Sequence, residues 1–420
     1  MRVVKTQGRG GKRTRQLMSE LEQRGARNTA RTMPVVSRIV REVRTGGDRV
    51  LRRYAAKLDG LKAGQPLEIS RAEMEQAWAA TPPGLQAAMQ TAADNIRRFA
   101  RLQMPKEWSE SVGGLSTGQM VRPLGAVGCY VPSGRYPLPS TLLMTVIPAQ
   151  VAGVERIVAV SAKPAPETLA AAALLGVTSF YRIGGAQAIA ALAFGTESIA
   201  RVDKIVGPGN WYVTAAKKLV AFDCAIDMLA GPTEIVVTSE SGEAVGIAAD
   251  LVAQAEHDPE ALALLITTNE ALARQVADEV GRRVKTNPIA REAIERNGMA
   301  VVAESVEEAR QLTNRLAPEH LTVDSEADLA WVRNAGSVFI GRYSAQPMGD
   351  YVSGPNHTLP TGGVAQVRGG LSVMDYVKLI TVQEYTLAGL KKLGPSAIAL
   401  AEAEGLHGHA EAVRARGIDG

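Results

Sequence analysis

Cysteine and aromatic residues are scarce in this sequence of 420 residues, which contains two cysteines and 4% aromatic residues. Two cysteines are too few for a disulfide framework or for a zinc site built from thiolates. The longest apolar stretch, LPSTLLMTVIPAQVAGV, is interrupted by proline, glutamine and glycine, and no signal-peptide pattern opens the chain. These absences predict a soluble, cytoplasmic protein that does not insert into a membrane.

One of the two cysteines has a second interpretation, since a thiolate can act as the nucleophile in aldehyde oxidation. Cys129 follows Gly128 beside a loop rich in proline and glycine. Cysteine is also among the residue types that are most often buried. We therefore expect Cys129 to be a small buried strand residue.

Basic charge is concentrated at the start of the chain. The formal net charge is +4, and the first fifteen residues, MRVVKTQGRGGKRTR, contain six Lys or Arg and no acid. Such a segment is typical either of a nucleic-acid-binding tail or of a solvated N-terminus. Because the rest of the chain is close to neutral, we expect a solvated, partly ordered arm over residues 1–27 and no nucleic-acid partner.

Hydrophobic periodicity divides the chain into three parts. The first hundred residues show helical spacing, with a break at Gly46–Gly47 and a capping box formed by Ser70 and Glu73. From residue 125 onwards, short β-rich runs alternate with Ala-rich helical runs, which indicates parallel βαβ units. The predicted helices include 139–152, 185–194 and 306–316. After about residue 370 the pattern is helical again.

The predicted fold is therefore α/β, with two Rossmann-like doubly wound domains in tandem, a helical N-terminal layer and a small helical C-terminal tail. A helical tail after a finished domain commonly docks on another surface, here a partner or a neighbouring subunit. The predicted divisions are 1–27 as the arm, 28–122 plus 235–370 as the first α/β domain, 123–234 as the second Rossmann-like domain, and 371–420 as the tail.

Nucleotide-binding fingerprints are missing from the strand-to-helix turns, which contain neither GxGxxG nor a Walker A sequence. Three weaker glycine-containing turns follow strands, namely YVPSGRYPLPS, GGAQ and GPGNW. Each alone fits a structural turn as well as a loop whose amides approach an anionic ligand. Ligands of open α/β sheets lie outside the carboxyl ends of strands, so three such turns at one edge favour a ligand site there.

Four polar side chains occur at spacings that suit ligation. Gln254 and His257 are three residues apart near the end of a predicted helix, which suits two metal ligands but also fits a solvated helix edge. Asp350 and His357 lie on a loop that is too irregular for a helix or strand. Such a loop suits ligation or substrate contact, and it equally suits a turn-forming Asp350 and a surface His357.

Two further segments place histidine beside carboxylates. Glu319 and His320 are adjacent between a helix and a strand, and they suit general acid/base chemistry as well as a local ion pair. Neighbouring strand residues point to opposite faces, but Pro318 predicts an irregular segment in which both reach one site. The tail segment AEAEGLHGHAEAV contains Glu404 and His409, for which a solvated helix end is the alternative. This concentration of histidine near acids and amides indicates a metal site with acid/base partners.

Several long motifs together resemble those of the histidinol dehydrogenases. In order, they are YVPSGRYPLPST, GGAQAIAALAFGTESI, DKIVGPGNWYVTAAKK, DMLAGPTEIVV, AQAEHDP, LAPEHL and SGPNHTLPTGG. The resemblance runs from about residue 30 to the C-terminal EGLHGHAEAV. It implies one zinc per subunit and two NAD, used in succession to oxidise L-histidinol through L-histidinal to L-histidine, the last step of histidine biosynthesis. It also implies a homodimer with intertwined tails and NAD binding by domain 123–234.

The resemblance assigns roles to the matching positions. The zinc ligands would be Gln254, His257, Asp350 and His409. The acid/base pair would be Glu319, which activates water, and His320, which accepts the alcohol proton. Histidinol would contact the zinc ligands and His320 together with Thr233, His357 and Glu404. NAD would contact Tyr130, Gln187 and Asn210. Glu404 and His409 would come from the partner subunit, and Cys129 would not be required.

One residue and one segment depart from the family pattern. The residue is Ser133, where glycine is commoner, and the segment is VAQVRGGLSVMDY after the LPTGG loop. They leave room for a paralogue that oxidises another small polar alcohol with zinc and NAD. A zinc-dependent hydrolase, which would use the same ligands without a nucleotide, is the alternative from another class. The presence of Thr233, Glu404 and the loop histidines favours histidinol as the substrate.

Overall fold

A computed structural model of this chain describes residues 1–24, 29–134 and 136–417. Residues 25–27 of the expected arm and Arg135 of the first glycine-containing turn lie outside the described residues. The helices are α1 Gly11–Glu22, α2 Thr29–Tyr54, α3 Arg71–Ala80, α4 Pro83–Leu102, α5 Pro139–Ala152, α6 Pro166–Leu174, α7 Gly185–Phe194, α8 Trp211–Val220, α9 Ala244–Ala255, α10 Glu270–Arg283, α11 Pro288–Asn297, α12 Val306–Leu316, α13 Pro347–Tyr351, α14 Leu387–Ala403 and α15 His407–Arg414. The strands are β1 Arg2–Lys5, β2 Trp108–Val112, β3 Leu115–Pro123, β4 Ala126–Tyr130, β5 Arg156–Val160, β6 Ser179–Tyr181, β7 Lys204–Val206, β8 Ala225–Ile226, β9 Glu234–Thr238, β10 Leu262–Thr267, β11 Met299–Val302, β12 His320–Val323, β13 Ser337–Ile340 and β14 Val377–Tyr385. Among the described residues, no helix is both long and apolar enough to span a membrane.

Two parallel sheets form the centre of the molecule, which confirms the predicted alternation of strands and helices. Within the described residues, one sheet has five strands in the order β6-β5-β4-β7-β8. The other has six in the order β1-β11-β10-β9-β12-β13. All of these strand pairings are parallel. From β4 and again from β9, the chain first adds strands on one side and then crosses to the other side.

The central strands are continuous apolar runs because helices cover both of their faces. Strands β4, β9 and β10 are buried at every residue. The covering helices are rich in alanine, as in α7, where every residue from Ala186 to Ala193 is buried. Small side chains let helices approach the sheet closely, so a chain with few aromatic residues still fills its core.

The N-terminal helices pack against the five-stranded sheet. Helix α2 changes direction at Gly47, where φ is 51°, and α3 begins with the predicted capping box of Ser70 and Glu73. The apolar side of α2 shares one core with α7 and α8, and α4 shares another with α5. These contacts differ from the expected grouping of residues 28–122 with residues 235–370. The reason is that α2, α3 and α4 complete the helical layers on the five-stranded sheet.

The basic N-terminus is part of the six-stranded sheet. Strand β1 pairs with β11, and Met18 of α1 is buried in the same core as Leu312 and Leu316. Lys5 forms an ion pair with Glu270 at 2.6 Å. The expectation of a solvated arm is therefore wrong for the described residues of this segment. Backbone pairing at the sheet edge and burial of one side of α1 hold it in place.

The chain also forms a small antiparallel sheet of β2, β3 and β14, which the sequence pattern does not predict. Strand β14 corrects the expectation that the chain is helical after residue 370, although α14 and α15 follow it. Nearly all residues of β14 are exposed. The strand therefore lacks the alternation of buried and exposed side chains by which a sequence pattern identifies a strand.

A buried ion pair holds the turn between β7 and α8. The Lys217 ammonium donates to Asp227 Oδ1 at 2.7 Å and to the Gly207 carbonyl at 2.5 Å. Asp227 also accepts hydrogen bonds from the backbone N–H groups of Gly207 at 2.8 Å and Met228 at 2.6 Å. The two charged side chains are 3% and 0% exposed, so each depends on the other for charge compensation.

Replacing Lys217 with methionine is expected to destabilise the fold by about 3 to 5 kcal/mol, because Asp227 would remain buried without its counter-ion. Lys218→Met is the matched control, since Lys218 is the next residue along α8 and is exposed. Urea unfolding followed by circular dichroism compares the two variants. Equal unfolding midpoints would contradict a stabilising role for the buried pair.

Candidate active site

Most of the predicted polar residues line one cavity between the two parallel sheets, with a volume of about 350 Å³. One wall consists of loops that follow β4 and β7, at the carboxyl edge of the five-stranded sheet. The opposite wall lies where β9 and β12 begin, at the amino edge of the six-stranded sheet. The predicted residues in these walls are Thr233, Gln254, His257, Glu319, His320, Asp350, His357 and Asn210.

Chain direction explains why Gln254 and His257 reach this cavity. Helix α9 follows β9 and runs back across the sheet, so its C-terminal end returns to the edge at which β9 begins. Gln254 lies in the last turn of α9, and His257 follows the end of the helix. Both therefore lie near Thr233, the residue that precedes β9.

The irregular segment predicted at Pro318 begins one residue earlier. Ala317 ends α12 in the left-handed conformation, with φ 45° and ψ 65°, which is uncommon for a residue with a Cβ atom. His320 is the first residue of β12, so Glu319 stands before the strand and outside its alternation of faces. Both side chains consequently line the same cavity.

One residue of the neighbouring strand holds both side chains of this pair. The backbone N–H of Glu234 donates to Glu319 Oε2 at 2.8 Å, and its carbonyl lies 3.0 Å from His320 Nδ1. We therefore assign the proton of the neutral His320 ring to Nδ1, which leaves the lone pair on Nε2. This Nε2 lies 3.6 Å from Asp350 Oδ1.

A hydrogen-bond chain fixes the orientation of the Gln254 amide. The Thr233 hydroxyl donates its single proton to Glu319 Oε2 at 2.6 Å, so it can only accept a hydrogen bond from Gln254. Gln254 Nε2 donates that bond. Gln254 Oε1 is then buried without a hydrogen-bond partner among the described residues. A buried oxygen of this kind is suited to bind a cation or a substrate donor.

Asp350 lies in α13, a helix of five residues, and this corrects the expectation of a loop too irregular for helix. Asp350 Oδ2 accepts a hydrogen bond from Gln346 Nε2 at 2.9 Å. His357 Nδ1 pairs with the backbone carbonyl of Asp350 at 2.9 Å, and His357 Nε2 lies 3.3 Å from the Thr141 hydroxyl. Both predicted residues are thus held in fixed positions in the cavity wall.

Burial and mutual charge shift the pKa values in this group. Burial raises the pKa of Glu319 to about 7, with His320 opposing the shift. Burial disfavours the charged form of His320, but the carboxylates of Glu319 and Asp350 outweigh it and raise the pKa to about 9. Burial would raise the pKa of Asp350, yet hydrogen bonding and charge from His320 lower it, and burial lowers the pKa of His357. A carboxyl group that titrates near neutrality is suited to take up and release a proton.

A second cavity of about 960 Å³ adjoins the first. Its wall includes the three predicted NAD contacts Tyr130, Gln187 and Asn210, and it shares Asn210 and His257 with the first cavity. The Tyr130 hydroxyl accepts a hydrogen bond from the Gly185 N–H at 3.0 Å, and Asn210 caps the start of α8. The cavity lies at the carboxyl edge of the five-stranded sheet, where the glycine-containing turns predict a ligand.

Known proteins resemble this chain over nearly its whole length. A model of the family described as histidinol dehydrogenase matches residues 22–417. The chain belongs to the histidinol dehydrogenase family. A histidinol dehydrogenase of Methanothermobacter thermautotrophicus is 46% identical over 413 residues, which cover 95% of this chain and 96% of that protein. One from Bacillus cereus is 47% identical over 393 residues, or 91% of each chain. A crystal structure of histidinol dehydrogenase from Elizabethkingia anophelis matches with a TM-score of 0.92 at 35% identity, covering 99% of this chain and 98% of that one.

Two residues expected at a histidinol dehydrogenase site do not line this cavity. Glu404 follows α14 and His409 lies in α15, and both are exposed. They line a separate cavity between the two tail helices. Accordingly, the part of the chain that the structure describes contains no group of three or more His, Cys, Asp or Glu that could hold a metal ion. The chain by itself brings Gln254, His257 and Asp350 to one cavity.

Cys129 is not part of the site. It is fully buried on β4, as expected, and burial raises its pKa to about 12. A thiol with such a pKa does not form the thiolate that nucleophilic attack requires. Cys129 also lines neither of the two cavities, so its position disfavours covalent aldehyde chemistry at this residue.

Sequence reasoning missed Asp59, Glu234 and Gln346. Asp59 lines the second cavity and accepts hydrogen bonds from the Gly184 N–H at 3.1 Å and from Gln187 Nε2 at 2.9 Å, but its KLDG segment predicts no ligand site. Glu234 acts through its backbone, which any residue type supplies. Gln346 precedes Asp350 by four residues, a helical spacing that brings two side chains together, and this signal was available.

Proposed function

We propose that this chain oxidises L-histidinol through L-histidinal to L-histidine and reduces two NAD molecules in succession. The observation that carries this proposal is the buried pair of Glu319 and His320, which faces a cavity that adjoins one of about 960 Å³. Relatives that match over nearly their whole length are histidinol dehydrogenases, which favours histidinol over another small polar alcohol and over hydrolytic chemistry.

The same proposal includes the architecture and location of the enzyme. We take the two parallel sheets as Rossmann-like domains, and the strand order that they share from β4 and from β9 supports this assignment. A cytoplasmic location is in keeping with the two free cysteines, which occur without a disulfide.

Zinc fits the donor set in the first cavity. Gln254 offers an amide oxygen without a partner among the described residues. His257 adds an imidazole nitrogen and Asp350 adds a carboxylate oxygen, and zinc accepts nitrogen and oxygen ligands of these kinds. With His409 of the partner subunit, these three residues would hold one ion. Bound zinc supplies Lewis acidity and an anchor for the imidazole and amine of histidinol.

His320 acts as the base in the first oxidation. Its Nε2 accepts the hydroxyl proton while hydride passes from the carbinol carbon to NAD, which yields histidinal, NADH and one proton. The Nδ1–H bond to the Glu234 carbonyl supports the imidazolium that forms. The carboxylates of Glu319 and Asp350 raise the pKa of His320 to about 9, and a zinc ion held by Asp350 would favour the neutral ring that this role needs.

Glu319 acts on water in the second oxidation. Its Oε2 already accepts hydrogen bonds from the Thr233 hydroxyl and the Glu234 N–H, so Oε1 is the oxygen that receives a proton. Oε1 takes this proton as the water oxygen bonds to the aldehyde carbon. The resulting hydrate anion would give its hydride to a second NAD, and the carboxylic acid formed would release its hydroxyl proton to water as the carboxylate of histidine.

NAD would occupy the second cavity, with Tyr130, Gln187 and Asn210 in its wall. Asn210 and His257 belong to both cavities, so these two residues would hold the cofactor next to the substrate. The first cavity would keep the aldehyde away from side reactions between the two oxidations.

We propose that the active form is a homodimer in which each tail completes the other subunit's site. The support is that Glu404 and His409 lie outside the cavity of their own chain. The antiparallel sheet and the tail helices also expose large apolar side chains, which mark protein–protein contact surfaces. These side chains include Val112, Leu379, Ile380, Val382, Leu387 and Leu400.

Substituting Glu319 by glutamine is expected to separate the two oxidations. Oxidation of supplied histidinal should fall by about 1000-fold, because the base that activates water is lost. Formation of histidinal from histidinol, trapped by semicarbazide, should fall by less than about tenfold, because His320 remains. NADH absorbance measures both steps.

The control for this experiment is Glu326→Gln, which removes an exposed carboxylate from the 3-10 helix that follows β12. It should leave both steps unchanged. Equal losses in the two steps for Glu319→Gln would refute the proposed division of roles between Glu319 and His320.

Thr233→Val should weaken zinc binding by about 10- to 100-fold, because it removes the hydroxyl that orients the Gln254 amide. Thr233→Ser keeps the hydroxyl and should bind zinc as the unchanged protein does. Competition against a chromophoric chelator measures the zinc dissociation constant without any enzyme assay. Equal zinc affinity for the valine and serine variants would contradict the orienting role of Thr233.

Subunit mixing tests the shared site. Glu319→Gln and His409→Ala homodimers should each oxidise histidinal poorly. Unfolding and refolding them together should restore about a quarter of the unmodified activity, because half of the dimers are mixed and each mixed dimer has one intact site of two. No recovery, although mixed dimers form, would place His409 in the site of its own chain.

A further inference from the structure

We propose that Arg24 is a positioning residue that fixes the acid/base pair of Glu319 and His320, an inference that rests on the function proposed above. The Arg24 guanidinium forms a two-point ion pair with the Glu234 carboxylate, in which Nε donates to Oε1 and Nη2 donates to Oε2, each at 2.5 Å. The two side chains are 14% and 4% exposed. Two parallel charge-assisted hydrogen bonds define the angle as well as the distance between their partners.

The same guanidinium also holds the end of the helix that leads to Glu319. Nη2 donates to the Leu316 carbonyl at 2.9 Å, and Nη1 donates to the Leu21 carbonyl at 2.7 Å. Leu316 is the last residue of α12, and the final carbonyls of a helix have no partner inside the helix. A cation at this end also interacts favourably with the helix dipole. Arg24 thus anchors the chain just before Ala317 turns it towards the cavity.

Glu234 connects this anchor to the reacting groups. Its carboxylate binds Arg24 and also accepts a hydrogen bond from the Gly362 N–H at 2.9 Å. Its own backbone N–H and carbonyl bind Glu319 and His320. Side chain and backbone belong to one residue, so a change in how the carboxylate is held displaces the N–H and the carbonyl on which the pair depends.

Loss of the guanidinium would leave the Glu234 carboxylate buried without its counter-ion, which is costly. Both residues line a cavity of about 910 Å³ next to the active-site cavity, so the carboxylate can relax towards that space. A misplacement of about 1 Å in a catalytic group costs on the order of 100-fold in rate. Lysine restores the charge but not the two-point geometry, because an ammonium has no planar fork.

The test compares Arg24→Ala and Arg24→Lys with Arg13→Ala, which removes an exposed arginine from α1, the helix that ends two residues before Arg24. Arg24→Ala should lower kcat by about 100-fold and Arg24→Lys by about tenfold, with KM for NAD and histidinol changed by less than about twofold. The losses should be equal in histidinol and histidinal oxidation, since Glu319 and His320 are displaced together. Arg13→Ala should keep the unmodified kcat.

Chemical rescue distinguishes positioning from general damage to the fold. Millimolar guanidinium should restore part of the kcat of Arg24→Ala, because the ion can occupy the cavity that Arg24 and Glu234 line. It should not raise the kcat of Arg24→Lys or of the unmodified protein. If Arg24→Ala does not fold, as judged by circular dichroism, the kcat of the folded Arg24→Lys variant decides the question.

Three results would overturn the role of Arg24 while leaving the proposed function intact. The first is an unchanged kcat in a folded Arg24 variant. The second is a loss in Arg24→Ala that guanidinium fails to reverse, and the third is a loss that appears in KM alone. If the unmodified protein produced no NADH from histidinol, the proposed function itself would fail, and that result is read before any variant is compared.

Discussion

The arrangement of the site depends on two hydrogen bonds formed by the backbone of Glu234. Its N–H binds the carboxylate of Glu319, and its carbonyl binds the imidazole of His320. This is an outcome of the parallel pairing of β9 and β12, in which His320 is opposite Ile235. The backbone group just before Ile235 therefore lies between the two side chains. Ordinary sheet geometry thus lets the backbone of one residue hold both the carboxylate of Glu319 and the imidazole of His320.

The two parallel sheets contribute opposite edges to this region. The five-stranded sheet contributes the loops at its carboxyl edge, as is usual for ligand sites of open α/β sheets. The six-stranded sheet contributes its amino edge, where β9 and β12 begin and where α9 ends. The cavity between the edges therefore has loops of the five-stranded sheet on one side and Glu319 and His320 on the other.

Much of the architecture could be predicted from the sequence, because buried helices begin and end at clear signals. Helices 139–152, 185–194 and 306–316 match the structure at both ends, since proline, glycine or a serine cap marks their limits. Strand β14 and the packing of α2 could not be predicted. An exposed strand has no buried face to produce a pattern, and an amphipathic helix carries no label for the sheet that it covers.

The same distinction holds for the site, where some residues could be predicted from the sequence and their contacts could not. Spacing and adjacency identified Gln254, His257, Glu319 and His320, because these pairs are close in the sequence. The rule that ligands lie at the carboxyl ends of strands pointed to the carboxyl edge alone, so no signal predicted the position of Glu319 and His320 at the amino edge. The direction of the hydrogen bonds through Thr233 depends on which atoms meet in three dimensions, and no sequence pattern contains that information.

The left-handed Ala317 has a consequence for how this enzyme can change its length during evolution. Adding or deleting one residue in α12 would rotate its exit by about 100° and turn Glu319 away from the Glu234 peptide. We therefore regard the interval from Ser305, which caps α12, to His320 as a segment of invariant length, in which residues can be exchanged but not gained or lost.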